Sequence, residues 1–190
     1  MELIVVTQPD YFECEAELIN QFFAEGLRLL HIRKPDNDAV KFRSLMKGID
    51  PEYYPLISIH QHHELAVEFG IRRLHFKEQQ RRALSDDGFC LSSSVHDPAE
   101  LSKLNGFSYV FFGPVFNSIS KTGYNTVLPD DFVLPDHLLK VFAIGGVEAG
   151  KLQQLQQMNF DGAAVLGSIW LSDSPLKELR NLIKSTNDHR

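Results

Sequence analysis

The sequence predicts an α/β protein, a single-domain (β/α)8 TIM barrel with trimmed loops spanning residues 1–190, on three observations. Short apolar, β-rich runs alternate along the whole chain with amphipathic stretches. The runs are mostly continuous in hydrophobicity, the pattern of parallel strands covered on both faces. The glycine and hydroxyl signals gather after the last three runs, which is where barrels of this kind place phosphate sites.

The expected strands are Leu3–Thr7, Arg28–Arg33, Pro55–His60, Arg73–Phe76, Phe89–Ser94, Tyr109–Phe116, Val141–Gly146 and Ala163–Ile169. Leu56-Ile57-Ser58-Ile59, Tyr109-Val110-Phe111-Phe112 and Ala163-Ala164-Val165-Leu166 are the most uniformly apolar. Between them, stripes at helical spacing mark amphipathic helices. Leu18, Ile19, Phe22 and Phe23 form one, Leu152, Leu155 and Met158 a second, and Leu176, Leu179, Leu182 and Ile183 a third. Ser174 before Pro175 reads as an N-cap followed by proline at the first helical position. Asp97-Pro98-Ala99-Glu100 repeats that logic, with Glu100 placed to reach back. An open doubly wound sheet is the competing architecture. The first strand, however, runs into Thr7-Gln8-Pro9-Asp10 instead of a glycine-rich dinucleotide loop.

Length and charge set outer bounds. The 190 residues suffice for one well-buried core but are few for eight βα units, which typically take about 250. A net charge of −6 with mixed signs argues against nucleic-acid binding, which needs a basic surface. Cys14 and Cys90 are far apart and lack metal-ligand spacing, as expected of reduced thiols in a cytoplasmic protein. No run is long enough for a signal core or a membrane span, so no membrane association is expected. The oligomeric state, including a homo-oligomer, stays open.

Three strand ends carry candidate phosphate chemistry. Gly113-Pro114-Val115-Phe116-Asn117-Ser118-Ile119-Ser120-Lys121 runs from a buried strand into hydroxyls and a cation, which together suit a phosphate dianion. A polar surface loop is the alternative. Ile144-Gly145-Gly146-Val147 lets backbone N–H groups approach a ligand, or simply supplies positive φ at a turn. Gly167 and Ser168 repeat the glycine-hydroxyl signal after the eighth strand. If the barrel closes, all three meet at one corner.

The opposite side of the mouth offers other groups. Arg33 could hold an anion in a bidentate fork. His60, His62 and His63 cluster after the third strand, while Ser94 and His96 end the fifth. The histidines lack both an i,i+4 helical pairing and a Cys or Asp partner, so no metal site is expected, and a titrating imidazole is preferred. His75, inside the fourth strand, reads as a packed and hydrogen-bonded side chain.

Gly113-Pro114-Val115-Phe116 with Ser118, Ser120 and Lys121, then Ile144-Gly145-Gly146-Val147, then Gly162-Ala163-Ala164-Val165, resemble the last-three-strand motifs of thiamine phosphate synthases and the related thiazole tautomerases. His31-Ile32-Arg33 and Ser94-Val95-His96 fit in order and spacing. The resemblance implies a (β/α)8 barrel in thiamine biosynthesis. Synthases of the family join a pyrimidine pyrophosphate to a thiazole phosphate with Mg2+, and tautomerases shift a proton on a thiazole carboxylate phosphate.

Position by position, the resemblance implies a retained thiazole-phosphate site of Ser118, Ser120, Lys121, Gly146, Gly167 and Ser168. The pyrophosphate side departs from the family. His31, Arg33 and Pro35 stand where synthases have Gln, Arg and Lys, while Gln61 and Gln80 stand at the two metal-binding Asp positions. No cofactor is therefore expected, with Mg2+ needed only if synthase activity persists. Pro114 occupies the place of the tautomerase histidine. His31, His60 or His96 could supply a base, and tautomerase-type proton transfer is slightly preferred over coupling. The expected catalytic set is His31, Arg33, His60 and Lys121, with Ser94, His96 and Gln61 also in the pocket and a phosphorylated thiazole as partner. A non-catalytic barrel that binds a thiazole or thiamine phosphate, or an unrelated phosphate-binding barrel, are the remaining alternatives.

Overall fold

The computed structural model describes residues 1–83, 88–117, 128–129 and 131–187. Eight parallel strands close into one barrel in sequential order, with the eighth pairing back onto the first. They are β1 (Glu2–Val6), β2 (Leu30–Ile32), β3 (Ile57–Ile59), β4 (Arg73–Phe76), β5 (Cys90–Val95), β6 (Tyr109–Phe112), β7 (Lys140–Ile144) and β8 (Gly162–Val165). The strand expected to reach Phe116 ends at Phe112, and the one expected to reach Ile169 ends at Val165. In both, a glycine after the apolar run lets the backbone turn out of the sheet.

The shortened chain is accommodated in the connections. Five α-helices are described: α1 (Glu15–Ala24), α2 (Ala39–Gly48), α3 (Leu152–Gln157), α4 (Gly167–Trp170) and α5 (Pro175–Asn187). The connections after β3, β4 and β5 carry single 3-10 segments instead, at His63–Leu65, Glu78–Ala83 and Pro98–Lys103. The Asp97 carboxylate accepts from the Ala99 N–H at the start of the last of these. Glu100 does not reach back to the cap. It pairs with the Arg81 guanidinium at 2.8 Å, because a tight 3-10 turn points it toward the neighbouring loop.

Alternation along each strand divides the buried residues into two sets. Val5, Ile32, Ile57, Phe112 and Val165 face outward and pack against Phe22, Phe42, Leu155 and Leu182 of the surrounding elements. Ile4, Val6, Tyr109, Phe111, Phe142 and Ala164 face the barrel axis. The register sets Val6 beside His31, His31 beside Ser58, Ser58 beside Arg73, and His75 beside Ser92. One half of the interior, from β6 round to β1, is thus apolar. The other, from β2 to β5, is polar. No described helix is long and apolar enough to cross a membrane.

Candidate functional site

At the C-terminal ends of the strands a cavity of about 890 Å³ opens between the two halves. Its β6–β8 wall is built by backbone constraint. Gly145 and Gly146 both have positive φ, 98° and 65°. A Cβ on Gly146 would lie 2.2 Å from the Asn117 carbonyl oxygen, and one on Gly145 would lie 2.8 Å from Pro114. Val115 N–H donates to the Ile144 carbonyl at 2.9 Å, and Phe116 N–H to that of Gly145 at 3.0 Å. The glycine pair therefore serves first to lock the β6 and β7 loops together. It also lines the cavity.

Gly167 and Ser168 open the short α4 directly after β8 and also face the cavity. The Ser168 hydroxyl is buried without a hydrogen-bond partner among the described residues, an unmet polar group beside the cavity. Ser118, Ser120 and Lys121 lie outside the described residues; Asn117, the last described residue before them, abuts Gly146.

The β2–β5 wall carries the titratable groups. Arg33, His60, Gln61, Lys77, Ser94 and His96 all line the cavity. His96 Nδ1–H donates to the Gly113 carbonyl at 2.5 Å, which leaves its Nε2 as the acceptor in the neutral ring. Arg33 has no ion-pair partner among the described residues, so its guanidinium is available to an anion. Lys34, its neighbour, is taken out of play: its ammonium is fully buried on the Glu15 carboxylate and the carbonyls of Gln8 and Asp10.

His31 is not the mouth residue expected. It sits mid-strand in β2, fully buried, and lies beneath the cavity without lining it. The parity that places Arg33 at the mouth places His31 one layer deeper. Its Nε2 bonds the Tyr109 hydroxyl at 2.7 Å and its Nδ1 meets His60 Nε2 at 2.9 Å. The histidines after β3 divide: His60 points inward, while His62 packs at a tilt against Phe42 and His63 bonds the Ile59 carbonyl outside the barrel.

His75 joins the inward set and lines the cavity, bonded to Ser92 at 2.9 Å and Ser94 at 3.1 Å. Burial holds His31 and His60 well below the usual imidazole range and lowers His75 to about 3. Burial thus favours the neutral form of all three rings and works against the proton abstraction expected of His31 or His60.

Spacing in the sequence missed His75 and Tyr109 because both belong to the site only through strand register. Arg81 was missed for another reason. It clamps the β4–β5 loops through Ser93, the Ser94 carbonyl and Glu100, and nothing local marks it.

Mg2+ wants several anionic oxygens. Among described residues lining the cavity, Glu78 is the single carboxylate. The Gln61 amide oxygen is occupied by Lys34 N–H at 2.7 Å, and that of Gln80 by Lys77 N–H at 3.1 Å. This donor set does not fit Mg2+.

Comparison with known proteins gives this geometry a lineage. The sequence profile of the family described as thiamine monophosphate synthase matches residues 3–169. The chain belongs to the thiamine monophosphate synthase family. Its relatives within the family include the thiamine-phosphate synthases of Halorhodospira halophila, 24% identical, and Fusobacterium nucleatum, 20% identical. Each alignment covers 94% of this chain and 90% of the relative.

Among solved structures, the thiamine phosphate pyrophosphorylase of Bacteroides thetaiotaomicron superposes with a TM-score of 0.80 at 26% identity, over all of both chains. That of Pyrococcus furiosus has a TM-score of 0.76 at 16% identity, over 98% of this chain and 96% of that one, a likeness of fold. These family members are named as synthases and pyrophosphorylases. These names do not support the preference for tautomerase-type chemistry and fit the coupling alternative better.

Proposed function

We propose that the chain is a thiamine-phosphate synthase acting in the cytoplasm, joining a pyrimidine diphosphate to a thiazole phosphate. In this reaction the lone pair of the thiazole nitrogen forms a C–N bond to the exocyclic methylene carbon of the pyrimidine. The C–O bond to the diphosphate breaks with its electron pair on oxygen. The products are thiamine phosphate, bearing a thiazolium cation, and pyrophosphate. No proton needs to be abstracted, which suits a wall of neutral imidazoles.

The observation that carries this reading is the two-sidedness of the cavity. One wall offers Gly146, Gly167 and Ser168 to one phosphate, and the family resemblance assigns Ser118, Ser120 and Lys121 to that same phosphate. The other presents Arg33 and Lys77 to a second, departing anion. Leaving-group charge is what such cations stabilise as the bond breaks. Phe111, Val147 and Trp170 give the rings apolar contact. The names of the relatives support the same chemistry.

The test is incubation of the full chain with both substrates, with and without Mg2+, followed by chromatography for thiamine phosphate. The expected result is product formation, strongly reduced in Lys121→Ala and in Arg33→Ala. Isomerisation of a thiazole carboxylate phosphate without coupling would replace this reading with the tautomerase one. Tight binding of thiazole phosphate with neither reaction would replace it with a non-catalytic barrel.

A further inference from the structure

We propose that His31, His60 and His75 form a binding site for a single borderline transition-metal dication of the Zn2+ class, set in the floor of the cavity. The site is independent of which reaction the cavity performs.

Three neighbouring strands deliver the three rings to one point. His31 lies in β2, His60 directly follows β3, and His75 lies in β4. One nitrogen from each lies within 4.8 Å of the other two. Ligands of a tetrahedral Zn2+ at 2.0–2.1 Å are about 3.3 Å apart, so the cluster needs only a modest contraction. His31 Nδ1 and His60 Nε2, at 2.9 Å, already approach that spacing with one proton between them. A dication takes the place of that proton.

The outer nitrogens of His31 and His75 are held as those of metal-binding histidines usually are, by a polar group that fixes the ring and its tautomer. His31 Nε2 meets Tyr109, so an Nε2–H donating to the phenol oxygen leaves Nδ1 as the inward ligand. The Ser92 hydroxyl donates to the Leu74 carbonyl at 3.3 Å, so its oxygen accepts from His75 Nδ1–H. That leaves His75 Nε2 as a lone pair, now satisfied by Ser94. The rings of His60 and His75 are stacked 4.0 Å apart at 21°. Closing on an ion turns one ring out of this stack and exchanges the Ser94 bond for the metal.

The donor set also selects the metal. Imidazoles without a carboxylate favour Zn2+, Co2+, Ni2+ or Cu2+ and disfavour Mg2+. His60 and His75 line the cavity, so a fourth coordination position faces it, as in three-histidine sites that keep one position open. Arg33 and Arg81 bring positive charge close by, and an anionic oxygen in that fourth position offsets it.

The test uses untagged, chelator-stripped full chain titrated with Co2+. One equivalent is expected to give the intense visible band of four- or five-coordinate cobalt, displaced by Zn2+ and insensitive to a large excess of Mg2+. The band should vanish in His60→Ala and in His75→Ala, persist in His137→Ala, and need about 10–100-fold more Co2+ in Tyr109→Phe. X-ray absorption of the zinc-loaded parent should count three imidazoles, a readout that requires no variant to fold. A weak six-coordinate spectrum, no stoichiometric binding, fewer than three imidazoles, or a band that survives His60→Ala would overturn the proposal.

Discussion

The Lys34 ammonium lies 2.7 and 2.9 Å from the two carboxylate oxygens of Glu15, with both side chains almost completely buried. The same ammonium bonds the carbonyls of Gln8 and Asp10, so one cation ties the loop after β1 to the end of β2 and to α1. Removing one member leaves an uncompensated buried charge. Lys34→Met is expected to cost about 3–5 kcal/mol in urea unfolding, and adding Glu15→Gln should recover part of that loss. Equal stability of parent and Lys34→Met would show that the pair holds nothing.

The interior histidines set an acid limit on the metal-free fold. His31 and His60 are held well below the ordinary 6.5, and His75 at about 3, by burial first and then by neighbouring positive groups. The rings lower one another, His75 acting on both His31 and His60, and Arg33, Arg73, Arg81 and His63 add to the effect. The unfolded chain takes up protons below about pH 6.5 that the folded chain refuses, so stability rises with pH up to that point and is flat above it. Each ring contributes a slope of about 1.4 kcal/mol per pH unit while it is protonated only in the unfolded chain. Urea midpoints measured in chelator should therefore fall steeply from pH 7 to pH 5, and less steeply in His75→Gln. Identical midpoints at the two pH values would refute this.

Gly146 joins a positive φ to a backbone approach that no side chain fits. Gly146→Ala should lose about 3 kcal/mol, from the left-handed backbone and from the contact with Asn117. It should also weaken inorganic phosphate binding in calorimetry, because the β6 and β7 loops no longer meet. A variant with unchanged melting temperature would show that the two loops are not locked as described.

Arg33 is a cation at the mouth without an ion pair among the described residues. Losing a charge-assisted hydrogen bond costs about 1.5–3 kcal/mol, so Arg33→Ala should raise KM for the pyrimidine diphosphate by roughly 10–100-fold. The KM for the thiazole phosphate should stay within about twofold, since its corner lies across the cavity. If both rise together, Arg33 organises the whole mouth and does not serve one substrate.

The strand order and the glycine-bearing strand ends that line the mouth were readable from the chain. An apolar run between amphipathic stretches is a local signal, and the glycines after β6, β7 and β8 mark places where the backbone itself is constrained. The trimmed connections were readable only as a shortage of residues. Which of them became 3-10 segments depended on packing against the barrel wall.

The sequence by itself determined that eight strands would close, with Arg33 and His60 on one side of the mouth and Gly146 and Ser168 on the other. Spacing of two residues along a strand is enough to say which side chains share a face. Tertiary structure alone decided that His31 lies below the mouth, that His60 parts company with His62 and His63, and that His75 and Tyr109 complete the interior cluster. The reason is register. Residues 31, 60, 75 and 109 are far apart in the chain, and only the stagger of β2, β3, β4 and β6 brings them together.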